Sequence, residues 1–433
     1  MTGPHRTVGP PTLLSCVAGA VALAAAVELA RGGVVQAWAA VVFGLVIALG
    51  EAVRVALPGG RDSAPIAETA TLGYLLCFKL GHVAATYPAV EVVTVVAAAT
   101  LVGISIQAYA GRPPQPGYLA RRVLTAALAA VAYRGWLLNR TVPSLAHHHQ
   151  VALLTLVLSA VALVTMIVSH LLGVLLALLG PAGLEEPVRG RLTWHAVGEG
   201  LLGECRTADR VCPTVVLFGT ATALAAMPLA LWALPLVMAP VLVVQRSLHR
   251  YAAISATYQQ TIRALSQVTD LAGYTAPGHA RRVCHLALAI GRDLALPGGE
   301  LLDLEYAALL HDIGQLSLTD PIPGGATVQI EPERAASVAM LGADVVRQTG
   351  VLSRVADILE SQAHPYAAAT AREPVHLAGS ILRAANAFDD MVGSALDPDR
   401  RLAAVRRIRL GTGVEYDPRV VESLARVVKA ARP

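Results

Sequence analysis

Long apolar runs fill the chain as far as Gln245, whereas beyond Arg246 charged residues recur every few positions, so two unlike parts meet near Val244. A helix needs about 20 apolar residues to cross a hydrocarbon core of roughly 30 Å, because only a helix satisfies its own backbone there. Suitable runs are Thr12 to Ala30, Val34 to Leu57, Ala67 to Thr86, Ala89 to Ala110, Val123 to Leu138 and Val151 to Leu179. The first could pass for a signal peptide, but others follow at once, which predicts a retained span. The stretch from Cys212 to Gln245 is long for one span and short for two, and Pro228, Pro235 and Pro240 interrupt it.

Arg54 and Arg61 follow the second run, Arg112, Arg121 and Arg122 the fourth, and Arg189, Arg191, Arg206 and Arg210 the sixth. Cytoplasmic loops collect such residues, so these alternate loops and the N-terminus are expected inside. With the polar part also inside, the last apolar stretch must enter and return as a hairpin near Pro228, giving about eight segments. The expected organisation is all-α: a multi-pass transmembrane region over 1–245, a connecting signalling helix over 246–272, and an all-helical bundle over 273–433.

In the connecting stretch, Tyr251, Ile254, Tyr258, Thr261, Leu265, Val268 and Ala272 alternate at spacings of three and four. That is a heptad seam of about three repeats. It suits a parallel two-helix stalk joining two copies in a homodimer, or an amphipathic helix packed on its own domain. Beyond Pro277, Val283, Leu286, Ala287 and Ile290 line one helical face, and Leu301 to Leu310 is apolar on most sides. Pro297 with Gly298 and Gly299, Pro321 to Gly325, and Pro365 mark helix ends.

Composition sharpens this division. The 433 residues are 55% apolar and only 15% charged, outside the range of ordinary soluble domains. The net charge of +4 is small and Lys occurs only at Lys79 and Lys429, so there is no nucleic-acid footprint. The five cysteines show no CxxC spacing, which argues against a disulfide framework or a zinc ribbon. Polar residues within the spans, Glu28, Lys79, His82, Arg134 and His170, are costly at membrane depth. Snorkelling near a helix end accounts for Glu28 and Arg134. Lys79 and His82, at i, i+3 on one helical face, are the least easily explained pair. The tract His147 to His149 could bind metal, but a flexible loop beside a membrane is the better account.

His311 and Asp312 close the apolar segment Leu301 to Leu310 and precede Ile313 and Gly314. Imidazole and carboxylate side by side at the inner end of a buried helix suit a divalent metal that activates water. The surrounding runs make the pair specific: YTAPGHARRV from Tyr274, AALLHDIGQ from Ala307, ILRAANAFDDM from Ile381 and GTGVEYDPRVVESL from Gly411 occur in order. Together they resemble the HD-GYP subfamily of HD phosphohydrolases, over Tyr258 to about Val428 and not over the membrane half. The resemblance implies a helical bundle holding two or three iron or manganese ions, hydrolysis of the bacterial second messenger cyclic di-GMP, and attachment to a sensor in the bacterial plasma membrane. His279 matches the first family histidine, and His311 and Asp312 the HD pair.

Other family positions depart from the pattern. The lysine after the HD pair is Gln315, an expected histidine falls on Val338, the adjacent histidine pair on Gln362 and Ala363, and the closing metal aspartate on Asn386. The GYP loop is replaced by an Ala-rich stretch from Tyr366 to Ala371. His364, one position from the missing pair, is a candidate substitute. His279, His311, Asp312 and His364 could together hold one divalent ion, manganese or iron, whereas two close cations need more negative charge and coordination than remains. The expected function is a membrane-anchored signalling protein with a degenerate, non-catalytic or weakly active output domain that takes a nucleotide or a partner. The alternatives are a metal-dependent phosphodiesterase or phosphohydrolase, and a transporter with a regulatory tail. Membrane lipid is the expected surrounding of the first half.

Overall fold

The computed structural model describes residues 10–57, 61–112, 117–138, 150–178, 194–318, 322, 330–368, 375–394 and 397–430. His147 to His149, Arg189, Arg191 and most of Pro321 to Gly325 lie outside them. The chain is helical almost throughout and divides into two compact units, Met1–Ile254 and Ser255–Pro433. The division falls inside the connecting helix.

The first unit contains α1 (Pro10–Gly32), α2 (Ala37–Ala52), α3 (Pro65–Leu76), α4 (Ala89–Tyr109), α5 (Tyr118–Ala132), α6 (Val151–Leu178), α7 (Trp194–Leu229) and the start of α8 (Ala233–Leu271). Two short hairpins, β1 (Val55–Leu57) with β2 (Arg61–Ser63) and β3 (Lys79–Leu80) with β4 (Val83–Ala84), flank α3. These helices run alternately between two ends of the unit. At one end Arg54 pairs with Asp62 at 3.3 Å, Arg54 donates to the Arg112 carbonyl, and Gln245 donates to the Val53 carbonyl. At the other end the Val35 amide donates to Glu91, Gln36 to the Ala84 carbonyl, and the Gly81 amide to the Ala226 carbonyl. Val211 and Cys212 share a small cavity with Leu57 and Asp62 at the first end, so the chain crosses to Ala226 and returns to Gln245. It reverses in a single 3-10 turn, Ala230–Trp232, where Ala230 adopts φ +50°. The chain thus reverses direction two residues beyond Pro228.

Helix lengths differ from the expected spans. Four helical stretches among the described residues are long and apolar enough to cross a membrane: Leu14–Gly32, Ala89–Tyr109, Val151–Leu176 and Val211–Leu271, the last containing the reversal. Ala37–Ala52 is apolar but shorter. The run Ala67 to Thr86 is not one helix, because α3 stops at Leu76 and the chain turns back through Gly81 at φ +62°. Lys79 and His82 therefore lie on a hairpin rather than on one helical face, and His82 is exposed. Irregular backbone of this kind is tolerated at membrane depth only where protein satisfies it.

Arg134 supplies that satisfaction. It sits in a π-helical turn after α5, is 5% exposed, and donates to the carbonyls of Tyr74, Leu75 and Cys77 at the end of α3 and of Ala85 and Tyr87 beyond the hairpin. The snorkelling expected of Arg134 is thus replaced by a buried cap: a cation placed on the carbonyl end of a helix, beside the hydroxyls of Tyr87 and Tyr133, which donate to the Tyr74 and Leu76 carbonyls. Glu28, by contrast, does lie exposed near the end of α1, beside Arg31. His170 turns its Nδ1 onto the Met166 carbonyl of its own helix. A second buried pair, Glu51 with Arg122 at 2.8 Å, ties α2 to α5 with Tyr118 donating to the same carboxylate. Close packing allows this: a Cβ on Gly103 would lie 2.7 Å from the Ala48 carbonyl oxygen, so only glycine lets α4 approach α2 so nearly.

The second unit packs α9 (His279–Asp293), α10 (Gly298–Leu310), α11 (Pro332–Arg347), α12 (Ser353–Ser361), α13 (Val375–Val392), α14 (Pro398–Leu410) and α15 (Pro418–Ala430) around one apolar core. Val283, Ala287 and Ile290 of α9 are buried as the periodicity predicts. Leu304, Ala307, Ala308, Leu309 and Leu310 make α10 the central helix, and Ile381, Leu382 and Phe388 of α13 pack in the same core. The end of α8 joins this core through Ile262, with Ser266 and Thr269 buried along the same face. Tyr251, Ile254, Tyr258, Thr261, Leu265, Val268 and Ala272 are all exposed. The helix therefore rests on its own domain by one face and leaves the heptad seam uncovered.

Candidate metal centre

His279 opens α9 immediately after Gly278, whose φ of +74° turns the chain into the helix. His311 and Asp312 follow the last turn of α10, where the chain tightens into the 3-10 turn Ile313–Ser317. Burial of α10 on most sides carries this pair to the inside, and all three side chains are buried. His279 Nε2 lies 3.1 Å from His311 Nε2, 3.2 Å from Asp312 Oδ2, and the latter two atoms are 3.1 Å apart. Asn386 of α13 completes the group, its Oδ1 3.2 Å from His311 Nε2.

What surrounds these atoms fixes their orientation. The Ala308 carbonyl can only accept, so His311 carries its hydrogen on Nδ1, at 2.8 Å, and presents Nε2 as a lone pair. His279 likewise directs Nδ1 at Asp389 Oδ2, 2.8 Å away. Asp389 is gripped in turn by Arg282, whose Nε and Nη2 donate to its two oxygens at 2.9 Å each. Gln315 donates to Asp312 Oδ1 at 2.7 Å, while the buried Oδ2 faces His279 Nε2 and His311 Nε2. Two imidazole nitrogens and a carboxylate oxygen thus face one point, each held from behind, as ligands of a divalent cation are. Their spacings match the edge of about 3 Å between neighbouring ligands with bonds of ~2.1 Å. These residues fit a cation.

Electrostatics agree. Burial disfavours a charge on His279, but hydrogen bonds to Asp312 and Asp389 outweigh it and push the imidazole up to about 10. Asp312 is held well below the usual carboxylate range: burial opposes its charge, and the neighbouring His311 and His279 overcome it. Asp389 is lowered against burial by His279 and Arg282. Without a cation, His279 is an imidazolium wedged between carboxylates. Its folded value exceeds its ordinary 6.5, so its contribution to stability is complete below pH 6.5 and is lost as pH rises through about 10. Asp312 and Asp389 act oppositely, contributing above their ordinary 3.8 and losing that contribution as pH falls.

A cation must displace the proton from His279 Nε2. Manganese affinity is therefore expected to rise about tenfold per pH unit between pH 6.5 and 8.5, one proton leaving per ion bound. Titration of the full-length chain at three pH values measures it, and a flat profile would mean that no proton is exchanged.

His311, Asp312 and Asn386 open onto a cavity of about 210 Å³, whose wall also carries Val338, Gln362, Ala363 and Arg383. The positions at which the resemblance places further ligands do surround the site, but they present an isopropyl group, a methyl and two amides. Gln315 is buried on Asp312 rather than facing the cavity. His364 is exposed on the turn after α12 and is not among the converging groups, since that turn carries Gln362 and Ala363 inward instead. The sequence reading missed Arg282, Asp389 and Arg383. Arg282 stands at i+3 from His279, and Asp389 belongs to the acidic pair of the Ile381 run, so both were signalled by spacing.

Residues 278–391 match the family model of the HD domain, a stretch that runs from the turn before His279 to just beyond Asp390. Over that stretch the C-terminal unit is thus similar to the helical HD domains of metal-dependent phosphohydrolases. No curated protein and no solved structure matches the chain.

Proposed function

We propose that this chain is a membrane-anchored signalling protein whose HD domain holds a single divalent cation, manganese or iron, and has lost most or all of its power to hydrolyse cyclic di-GMP. The observation that carries this is the composition of the cavity wall. Val338, Gln362, Ala363 and Asn386 offer neither imidazole nor carboxylate there, and Glu415 stands exposed at the rim. A bound cation polarises a phosphoryl oxygen and lowers the pKa of its water; a pair does so at both the attacking and the leaving oxygen. The protein's own part is to fix two lone pairs and a carboxylate through Asp389, Ala308 and Gln315, and to place the Arg383 guanidinium beside the cavity. Such a pocket suits a phosphate ester, which makes a nucleotide the favoured ligand. The same intact support around His279 and His311 favours a second reading, a slow one-metal phosphohydrolase. An assay of the full-length protein with manganese and with iron, beside His311→Ala and Asp312→Ala, tests both. Turnover indistinguishable from the variants is expected, and robust turnover abolished by both substitutions would overturn the first reading.

The orientation follows from charge. Arg54, Arg112, Arg121, Arg122, Arg246 and Arg250 collect at the end of the membrane unit where α8 leaves it, against Arg31, Lys79 and Arg134 at the other. That end, and with it the HD domain, belongs in the cytoplasm. The uncovered seam of α8 supports a parallel homodimer. Oxidative crosslinking in membranes is expected to be strong for Ile254→Cys and Leu265→Cys and absent for Ile262→Cys, whose side chain is 3% exposed within its own core. Equal yields at all three positions would count against the seam.

A further inference from the structure

We propose that α14 and the turn after it dock on the anionic surface of the bilayer that anchors the chain. The inference rests on the membrane-anchored reading above. From Arg400 to Val414 the sequence carries Arg400, Arg401, Arg406, Arg407 and Arg409 and no acidic residue. α14 buries Ala404, Val405 and Ile408 in the core of its own domain, so its remaining positions look outward. Arg406, Arg407 and Arg409 are exposed there, and among the described residues none of the three has an ion-pair partner.

Apolar side chains stand among these charges. Leu410 is 79% exposed at the end of α14, and Val414 is 63% exposed in the turn that follows, where Gly413 adopts φ +82°. Leu402, Arg406 and Leu410 succeed one another at intervals of four and so share a face. A surface kept only for solubility mixes both signs of charge and turns its leucines inward. Leucine and valine ringed by arginine instead match a bilayer interface, where guanidinium groups meet lipid phosphates and apolar side chains enter the acyl boundary. Nucleic acid would satisfy the arginines and leave Leu410 and Val414 with nothing apolar to enter. The chain also supplies the lipid surface: α8 leads from an apolar span into this domain, and such tethering raises the local concentration of a second site to roughly millimolar.

The turn that carries Val414 is also a wall of the cavity. The Ala367 amide donates to the Val414 carbonyl and the Tyr366 amide to that of Glu415, and Glu415 and Tyr416 line the cavity itself. A bilayer docked on Leu410 and Val414 therefore stands beside the cavity's rim, and docking bears on the entry of a ligand.

The test places a photo-crosslinking side chain at Leu410 or at Val414 of the full-length chain. The protein is reconstituted into nanodiscs of phosphatidylcholine, with and without phosphatidylglycerol, and lipid adducts per chain are counted by mass spectrometry. Adducts are expected at both positions in discs containing phosphatidylglycerol. They are not expected at Val351, which is 61% exposed in the turn between α11 and α12. Combining Arg406→Glu, Arg407→Glu and Arg409→Glu should lower the yield by about fivefold or more, the effect of a single arginine at an anionic surface. Molar salt shortens the screening length to about 3 Å and should lower the yield with the arginines intact, which decides the matter if the triple variant misfolds. Equal yields at Leu410 and Val351, or yields indifferent to phosphatidylglycerol and to salt, would overturn the docking surface. Adducts to a second copy of the chain in place of lipid would overturn it as well. A chain that enters the discs and gives no adducts refutes the docking alone, whereas a chain that fails to enter them refutes the membrane-anchored reading and the inference with it.

Discussion

Arg134→Leu is expected to abolish the folded membrane unit. Its guanidinium satisfies five main-chain carbonyls, three at the end of α3 and two beyond the hairpin, in a region closed to water. A hydrogen bond from a charged donor contributes about 1.5–3 kcal/mol, and stranding buried acceptors costs more than losing the bond. A loss of at least about 3–5 kcal/mol follows, against total stabilities of roughly 5–15 kcal/mol. Stacking on Tyr87, whose ring centre lies 3.6 Å from the guanidinium carbon, is lost as well. Arg134→Lys should recover only part, because an ammonium has three donors and no planar fork. Thermal unfolding and size-exclusion profiles of detergent-solubilised protein measure this. A leucine variant that stays monodisperse and melts with wild type would show that the cap is dispensable.

This residue also shows where sequence reasoning stops. Charge parity is a property of whole loops, and among the described residues Arg54 and Arg112 of two Arg-rich loops meet at one end of the unit. The length of each helix was not legible. A window over Ala67 to Thr86 is apolar throughout, yet α3 ends at Leu76 because a donor 58 residues later in the chain, Arg134, is positioned to accept its end. Nothing in the local pattern encodes that partner. Glu51 and Arg122 are a second case, a charge pair whose members belong to two different apolar helices and meet only after packing.

In the HD domain the balance is reversed. His279, His311 and Asp312 were legible from short motifs, since an adjacent His and Asp at the end of a buried helix can hardly point outward. Val338, Gln362, Ala363 and Asn386, the positions given by the resemblance, line the cavity. His364 stands exposed because one residue of difference in a turn decides between cavity and solvent, and backbone direction there is set by tertiary contacts. Asp389 and Asp390 were in view as a pair, but only geometry separates the one that braces His279 Nδ1 from the one that faces Nε2. The heptad seam was legible as a period, and the structure adds that Ile262, Ser266 and Thr269, not the seam, hold the helix to its domain.

Gly314→Ala should damage the metal centre without touching a ligand. Gly314 lies in the 3-10 turn after Asp312, and a Cβ there would overlap the Val338 carbonyl oxygen and stand 2.7 Å from the Gly342 nitrogen. Both are backbone atoms of α11, so no side-chain rotation relieves the overlap; the helix or the turn must move. The turn also holds Gln315, whose amide fixes Asp312 Oδ1, so its displacement carries the carboxylate away from His279 and His311. Overpacking of this kind costs about 1–3 kcal/mol or somewhat more. The melting temperature should fall, and manganese affinity should drop by about tenfold or more, the range seen when groups behind metal ligands are disturbed. Gly299→Ala is the matched control, since a Cβ there meets nothing within 4 Å and alanine favours the helix. Unchanged stability and affinity in Gly314→Ala would mean that the close approach of α11 does not position Asp312.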